Sequence, residues 1–176
     1  ASAAENSGTE VTLTLTTSQI ADENIVVSLS ASGTISSSDY VSTSLSPSTV
    51  TISAGSTTGT VSATASDDSI YEGNESSTVS ISGVSGGGAT ESGNQSITFT
   101  IVENEAAPVI TLTTSHTTVA ENSGTTVTLT ATASQAADED ITVTLASTGT
   151  AINGTDYSSF GGQTITIAAN STTGTI

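Results

Sequence analysis

Residues 5–24 read ENSGTEVTLTLTTSQIADEN, and residues 121–140 read ENSGTTVTLTATASQAADED. The offset between the two stretches is 116 residues, from Glu5 to Glu121. Self-similarity at a fixed period is typical of tandem repeats. We therefore predict units of about 116 residues. The first covers residues 1–105 and lacks its first strand, and residues 106–176 form the N-terminal part of the next.

Apolar residues alternate with threonine in this stretch. Val11, Leu13 and Leu15 are separated by single threonines, the period of two that is typical of a half-buried β-strand. Glycine and asparagine separate the strand-like runs, and no run has helical spacing. The pattern predicts an all-β chain that forms a seven-stranded antiparallel immunoglobulin-like β-sandwich. The other runs are residues 25–29, 49–52, 60–65, 78–81, 97–102 and 109–113.

The second copy stops at Ile176, before any counterpart of the motif DDSIYEGNE at residues 67–75. The first copy has no counterpart of residues 108–120. A sandwich without its last strands would expose strand edges and part of its core. We expect the sequence to be part of a longer tandem array, or neighbouring subunits to supply the absent strands.

The charge of the chain is one-sided. It has 17 acidic residues, no Lys and no Arg, and a formal net charge of −17. Binding to nucleic acid depends on Lys and Arg against phosphate, and an anionic membrane surface would repel this chain. No apolar stretch is long enough to insert into a membrane. The expected counter-charge is a hard divalent cation, because carboxylate oxygens are the ligands that such ions prefer.

The acidic residues of the first copy fall at equivalent ends of the predicted strands. If successive strands alternate in direction, four separate segments bring seven carboxylates to one end of the sandwich. Two carboxylates about 5 Å apart repel by roughly 3 kcal/mol at an effective dielectric constant near 20. We therefore expect Ca²⁺ to be bound there. The predicted ligands are Glu5, Asp39, Asp67, Asp68, Glu72, Glu103 and Glu105.

The order of motifs resembles the Calx-beta domain, found in sodium–calcium exchangers, integrin β4 and many bacterial surface proteins. The motifs are ENSGT, SDY, AGSTTGTV, DDSIYEGNE and ITFTIVENE. The resemblance covers most of the first unit and the available part of the second. It implies a calcium-binding sandwich whose ligands match the seven residues above, with Glu121 and Asp156 in the second unit. ENE stands where calcium-binding members have several aspartates, which implies fewer ions or weaker binding.

A junction between repeats is a second expected place for calcium. In the sequence-based arrangement, the acidic end of the first unit meets the loop that contains Asp138 and Asp140. A cation held by Glu103 or Glu105 and shared with that loop would stiffen the string of repeats into a rod.

Catalysis is not expected. The single histidine, His116, has no Cys or Lys companion, and five aromatic residues are too few to line a glycosidase cleft. The leading hypothesis is a secreted, calcium-binding structural repeat of a cell-surface adhesin, biofilm matrix fibre or filament. Its expected partners are neighbouring repeats or copies of itself, and a cell-surface glycan or protein. Alternatives are a carbohydrate- or protein-binding sandwich module and an intracellular calcium-sensor domain.

Overall fold

The computed structural model describes residues 1–40, 49–158 and 162–176. The chain divides into two compact units. Unit 1 consists of Ala1–Asp68 and Gly73–Asn104, and unit 2 consists of Ser69–Glu72 and Glu105–Ile176. The predicted repeat boundaries at residues 105 and 106 stay predictions, because a compact unit and a sequence repeat are different divisions of a chain.

The described residues of unit 1 form seven strands and a short 3₁₀ turn at Glu5–Ser7. The strands carry the predicted alternation of apolar and polar residues, which lets one face of each strand pack inward. They are β1 (Ser2–Ala4), β2 (Glu10–Thr16), β3 (Ile25–Gly33), β4 (Thr49–Ile52), β5 (Thr58–Thr64), β6 (Glu75–Ser85) and β7 (Ser96–Val102).

These strands form two sheets. One has the order β1-β7-β6-β3-β4, and the other pairs β2 with β5. Ala63 from the smaller sheet packs with Val79 and Phe99 from the larger one, with half-buried Val11 and Leu13 beside them. The two sheets therefore share one core and make unit 1 a β-sandwich.

The described strands of unit 2 also form two sheets, β12-β9-β8 and β10-β11. Ala131 and Ala133 of the first sheet pack against Ile165 and Ile167 of the second, all nearly inaccessible to solvent. The strands are β8 (Ile110–Thr114), β9 (Leu129–Ala133), β10 (Ile141–Thr144), β11 (Thr164–Ile167) and β12 (Thr173–Thr175).

The predicted all-β, immunoglobulin-like sandwich is confirmed, and each predicted run overlaps an observed strand. One pairing differs from a purely antiparallel sandwich. β1 runs parallel to β7, with Ser2 opposite Thr100 and Ala4 opposite Val102. The first and last strands of unit 1 point the same way because an even number of chain reversals separates them. β1 corresponds to residues 118–120 at the 116-residue offset, so it is not the strand that the first repeat is predicted to lack, and that absence stays a prediction. The number of tandem repeats stays a prediction.

Candidate metal-binding site

Glu5 is positioned by the 3₁₀ turn that follows β1. The turn ends at Gly8, whose φ of 59° lies in the left-handed region that favours glycine. Ser7 Oγ donates to the carbonyl of Ala4 at 2.6 Å and accepts from the N–H of Thr9 at 3.1 Å. This tight turn directs Glu5 into the protein, where only 3% of its surface stays exposed.

The first carboxylate group consists of Glu5, Glu103 and Glu105, each offering one oxygen within 4.8 Å of the others. Glu103 follows the end of β7. Its Oε2 accepts from the N–H of Gly73 at 2.7 Å, and its Oε1 accepts from the N–H of Asn104 at 2.9 Å. Glu105 is two residues further along, so the chain itself keeps its carboxylate close to Glu103.

The second carboxylate group consists of Asp39, Glu72 and Glu75, with the same 4.8 Å limit between oxygens. Asp39 is 5% exposed. Its Oδ2 accepts from the N–H of Ser36, and its Oδ1 accepts from the hydroxyls of Ser38 at 2.9 Å and Ser36 at 3.2 Å. Glu72 is three residues before Glu75, so these two carboxylates are also close along the chain.

The protonation of Asp39 reflects this environment. Burial by itself raises the pKa of the Asp39 carboxyl, because the ionised form loses water. Hydrogen bonds with the Glu75 side chain and with the Ser36 and Ser38 donors outweigh burial, and the pKa lies below its ordinary value. The Asp39 carboxylate is therefore ionised and held in a fixed orientation near neutral pH, so its oxygens can act as metal ligands.

The donor set fits Ca²⁺ in kind and in spacing. Oxygens bound to one Ca²⁺ at about 2.4 Å can be at most about 4.8 Å apart, and the oxygens of each group lie within 4.8 Å of one another. All six side chains are carboxylates, and the chain has no Lys or Arg that could neutralise them. One side-chain oxygen each from Glu5, Glu75 and Glu105 is fully buried, so bulk water screens these three oxygens only weakly.

Two predicted ligands of unit 1 lie outside both groups. Asp67 and Asp68 are exposed, and Asp67 Oδ1 accepts from the side-chain amide of Asn104 at 3.3 Å. Sequence reasoning missed Glu75, which begins β6 and lies beside Asp39. Its spacing of three residues from Glu72 in the same acidic motif was the available signal.

The predicted ligands of the second copy are placed differently. Glu121 and Asp156 are exposed, and neither carboxylate group among the described residues contains them. Asp156 Oδ2 accepts from the N–H of Ile152 at 2.8 Å, which closes a local turn.

Asp138 and Asp140 are also exposed and outside both groups. Asp140 Oδ1 accepts from the N–H of Ala169 at 2.8 Å. In the first copy, Asn24 Oδ1 accepts from the N–H of Ala54 at the same distance. A neutral amide therefore makes the equivalent bond, so the observed role of Asp140 is to cap the turn between β11 and β12.

Comparisons with known proteins agree with this architecture. Residues 9–104, more than half of the chain, match the model of the LapA domain. Residues 103–166 match the model of the Calx-beta domain. The predicted resemblance to the Calx-beta domain is thereby confirmed.

Solved structures with similar folds include two that carry the name CBD12. CBD12 from CALX1.2 is 15% identical with a TM-score of 0.46, covering 99% of this chain and 71% of that one. The calcium binding domain CBD12 of CALX1.1 is 17% identical with a TM-score of 0.48, covering 100% and 70%. A CsuC-CsuE chaperone–tip adhesion subunit complex from Acinetobacter baumannii is 12% identical with a TM-score of 0.40, covering 99% and 82%.

No curated protein matches the chain. Within the described residues, no helix combines the length and the apolar character of a membrane span. The two family matches indicate a β-sandwich adhesin module. Because the LapA model covers more than half of the sequence, the chain belongs to the LapA domain family.

Proposed function

We propose that this chain is a calcium-binding structural repeat of an extracellular surface adhesin or filament, in which Ca²⁺ rigidifies the sandwich. The observation that carries the proposal is the pair of carboxylate groups in a chain without any Lys or Arg. Glu5 and Asp39 are almost fully buried in them. Buried carboxylates need a counter-charge, and here no basic side chain can supply it.

The proposed ligands are the members of the two groups. Glu5, Glu103 and Glu105 would hold one cation, and Asp39, Glu72 and Glu75 would hold a second. When bound, Ca²⁺ supplies the positive charge that turns mutual repulsion into attraction. Two carboxylates 4.8 Å apart repel by roughly 3 kcal/mol at an effective dielectric constant of 20. That energy is a large fraction of the stability of a domain, about 5–15 kcal/mol.

The proposal extends to the link between repeats. Glu103 and Glu105 flank Asn104, the residue at which unit 1 ends. A cation bound by both side chains would restrict the backbone torsions of this linker. Small-angle X-ray scattering of the chain in calcium and in chelator should then show a narrower range of dimensions with calcium. Identical profiles would contradict rigidification.

The proposed location is outside the cell, at the cell surface or in a biofilm matrix. The LapA match supports an adhesin, and a chain without Lys or Arg offers no cleavage site to trypsin-like proteases. The proposed partners are neighbouring repeats, copies of the same chain, and a glycan or protein on a cell surface. The proposal includes no catalysis and no contact with nucleic acid.

The test compares the same substitution in the two copies of the ENSGT motif. Glu5→Gln removes a charge from the first group, and Glu121→Gln removes the equivalent exposed charge. Thermal unfolding would be followed by residue-resolved amide hydrogen exchange in β6 and β7, with excess calcium and with chelator. We expect saturating Ca²⁺ to stabilise unit 1 by a few kcal/mol. Glu5→Gln should lose most of this gain, and Glu121→Gln should keep it.

Two results would overturn the proposal. One is equal stability of unit 1 with calcium and with chelator. The other is the same calcium response from Glu5→Gln and Glu121→Gln, because then the buried group would not be where the ion acts.

A further inference from the structure

The inner face of the larger sheet of unit 1 changes character toward the end of β3. Half-buried Leu29 packs against the core, and the next two residues on the same face of β3 are Ala31 and Gly33. A Cβ at Gly33 would lie 2.1 Å from Ser76 O, so no larger residue fits there. Ala31 is exposed although it lies on the inner face. The space above these two small residues is therefore open.

A cavity of about 270 Å³ occupies this space. The strand register places Gly33, Ser77 and Phe99 in one row across β3, β6 and β7, and all three residues line the cavity. Ala31, Ile35 and Tyr40 line it from β3 and the segment that follows β3, and the other described lining residues are serines of the same region. The cavity wall therefore includes two of the five aromatic residues of the chain.

Ser77 contributes a buried hydroxyl to the cavity wall. Ser77 is only 7% exposed, and within the described part of the chain its hydroxyl makes no hydrogen bond. A hydroxyl that is withdrawn from bulk water without a partner is unfavourable, because it loses hydrogen bonds that the unfolded chain makes with water. A ligand that donates to Ser77 Oγ or accepts from it would restore a hydrogen bond there.

The hydroxyl of Tyr40 is available for the same purpose. Tyr157 is its counterpart at an offset of 117 residues, and the Tyr157 hydroxyl donates to Ser147 Oγ at 3.2 Å. Ser147 corresponds to Ala31 at the 116-residue offset, and alanine offers no such acceptor. Among the described residues the Tyr40 hydroxyl has no hydrogen bond, while a β-bridge to Ala65 holds the Tyr40 backbone. Two hydroxyls in the cavity wall, on Ser77 and Tyr40, can therefore bond a ligand.

The lining indicates a small, uncharged ligand with many hydroxyls. Apolar walls from Ile35, Phe99 and the Tyr40 ring, combined with a few hydroxyls, are typical of a site for a small molecule. The described lining residues carry no charge, and the net charge of −17 repels anions. A sugar ring fits this environment, because its C–H faces pack on aromatic side chains and its hydroxyls both donate and accept. The volume is slightly below the about 300–1,000 Å³ of most ligand pockets, which suits one ring.

We propose that this cavity of unit 1 binds one neutral hexose ring at the end of a glycan. Ser77 and Tyr40 hydrogen-bond the hydroxyls of the sugar, and Phe99 contacts its apolar face. The inference assigns a site to the glycan partner proposed above, and it rests on the proposed function only for the source of the sugar. No residue described as lining the cavity belongs to either carboxylate group, so sugar binding and calcium binding can be tested separately.

Titration of the intact chain with free sugars, followed by NMR in excess calcium, measures the binding. The probes are glucose, galactose and mannose as neutral hexoses, N-acetylneuraminic acid as an acidic sugar, and benzene as an apolar ligand. We expect at least one neutral hexose to shift the amide signals of Gly33, Ser77 and Phe99, with a Kd of about 1 mM, because a single small ring makes few contacts. The acidic sugar and benzene should leave these signals unchanged.

Ser77→Ala is the decisive variant, because it removes the buried hydroxyl and adds no atom to the cavity. Ser76→Ala is the matched control, since it removes the same group from the neighbouring residue, on the opposite face of β6. We expect Ser77→Ala to weaken hexose binding by about fivefold or more, the effect of one hydrogen bond. Ser76→Ala should bind the hexose like the original chain.

Ala31→Leu tests the cavity without removing a polar group. A leucine side chain on the inner face would fill the space, so hexose binding should be lost while amide hydrogen exchange shows that unit 1 stays folded. The proposal is overturned if no neutral hexose binds, if the acidic sugar binds as tightly, or if benzene binds in place of the hexoses, as in a dry packing gap. It is equally overturned if Ser77→Ala and Ser76→Ala bind alike, or if Ala31→Leu retains binding. Sugar binding that persists in a chain without calcium stabilisation would overturn the calcium proposal alone.

Discussion

The two copies of ENSGT make the same turn in different surroundings. Ser7 Oγ accepts from Thr9 N–H at 3.1 Å, and Ser123 Oγ accepts from Thr125 N–H at 3.2 Å. The glycines that follow have φ angles of 59° and 64°. Yet Glu5 is 3% exposed, whereas Glu121 is exposed.

The difference has a non-local cause. In unit 1, β6 and β7 bring Glu75 and Glu103 beside the carboxylates of Asp39 and Glu5. The comparison teaches that five identical residues determine a backbone turn, and that distant segments place its glutamate beside other carboxylates.

The largest expected effect concerns a glycine that both copies place in close contact with a neighbouring strand, Gly59 in the first copy and Gly174 in the second. A Cβ at Gly59 would lie 2.8 Å from Thr51 O, and one at Gly174 would lie 2.3 Å from Thr166 O. These neighbours are backbone atoms, which cannot move aside without disturbing the sheet. Gly59→Ala and Gly174→Ala should therefore each destabilise their own unit by roughly 1–3 kcal/mol or more. Urea unfolding with amide hydrogen exchange measures each unit.

Gly83→Ala is the control for these glycines. Its Cβ would be 3.8 Å from the nearest atom, an ordinary contact. We expect its effect to stay within about 0.5 kcal/mol. Equal stability of Gly59→Ala and Gly83→Ala would mean that the strands of unit 1 are packed less closely than described.

The next effect isolates the repulsion within the first carboxylate group. In chelator at pH 7, Glu5→Gln should stabilise unit 1, by up to about 3 kcal/mol, because a neutral amide replaces one of three crowded carboxylates. Glu121→Gln should change unit 2 by less than about 0.5 kcal/mol. Chemical denaturation in chelator provides the measurement. Destabilisation by Glu5→Gln under these conditions would contradict the repulsion.

A smaller effect concerns the turn caps that the two copies share. Asn24→Ala and Asp140→Ala each remove one hydrogen bond to a backbone N–H, which should cost about 1 kcal/mol in either unit. Asp140→Asn should be nearly neutral, with or without calcium, because the first copy already uses an amide there. If Asp140→Asn instead lost stability only in the presence of calcium, the result would indicate that Asp140 is a metal ligand.

The smallest expected effect is a dependence of the stability of unit 1 on pH. The pKa of Asp39 lies below its ordinary value in the folded chain. Its ionised form therefore adds stability above that ordinary value, and this contribution disappears as the pH falls through the lowered pKa. Chemical denaturation of unit 1 in chelator at a series of acid pH values should show this dependence of the free energy of unfolding on pH. Asp39→Asn should remove it, and Asp156→Asn should leave it unchanged.

Most of the fold could be predicted because strand alternation is a local property. Residues 49–52 were predicted as a strand and form β4 with those bounds. β3 continues to Gly33 and β6 to Ser85, beyond the predicted ends. Their extensions are rich in serine, alanine and glycine, and they are held by pairing with each other, which sequence periodicity does not report.

The site was less predictable because it is formed by segments that are far apart in the sequence, and strand alternation reports only local structure. Strand directions placed Glu5, Asp39 and Glu103 at one end, and the structure brings their carboxylates into two groups there. Loop residues have no period, so no pattern indicated that Asp67 and Asp68 are exposed, and the available signal for Glu75 was its three-residue spacing from Glu72. Whether these residues bind calcium stays a prediction for the melts to decide.

The parallel pairing of β1 with β7 has a mechanical consequence. Thr100 N–H donates to Ala1 O at 3.0 Å, and the ladder runs on to the pair of Ala4 and Val102. A pull between residue 1 and the end of β7 would drag these two strands past each other in opposite directions. The load would fall on all bonds of the ladder together instead of peeling them one by one. Unit 1 should therefore resist stretching by shear, the loading direction to which an adhesive tether is exposed.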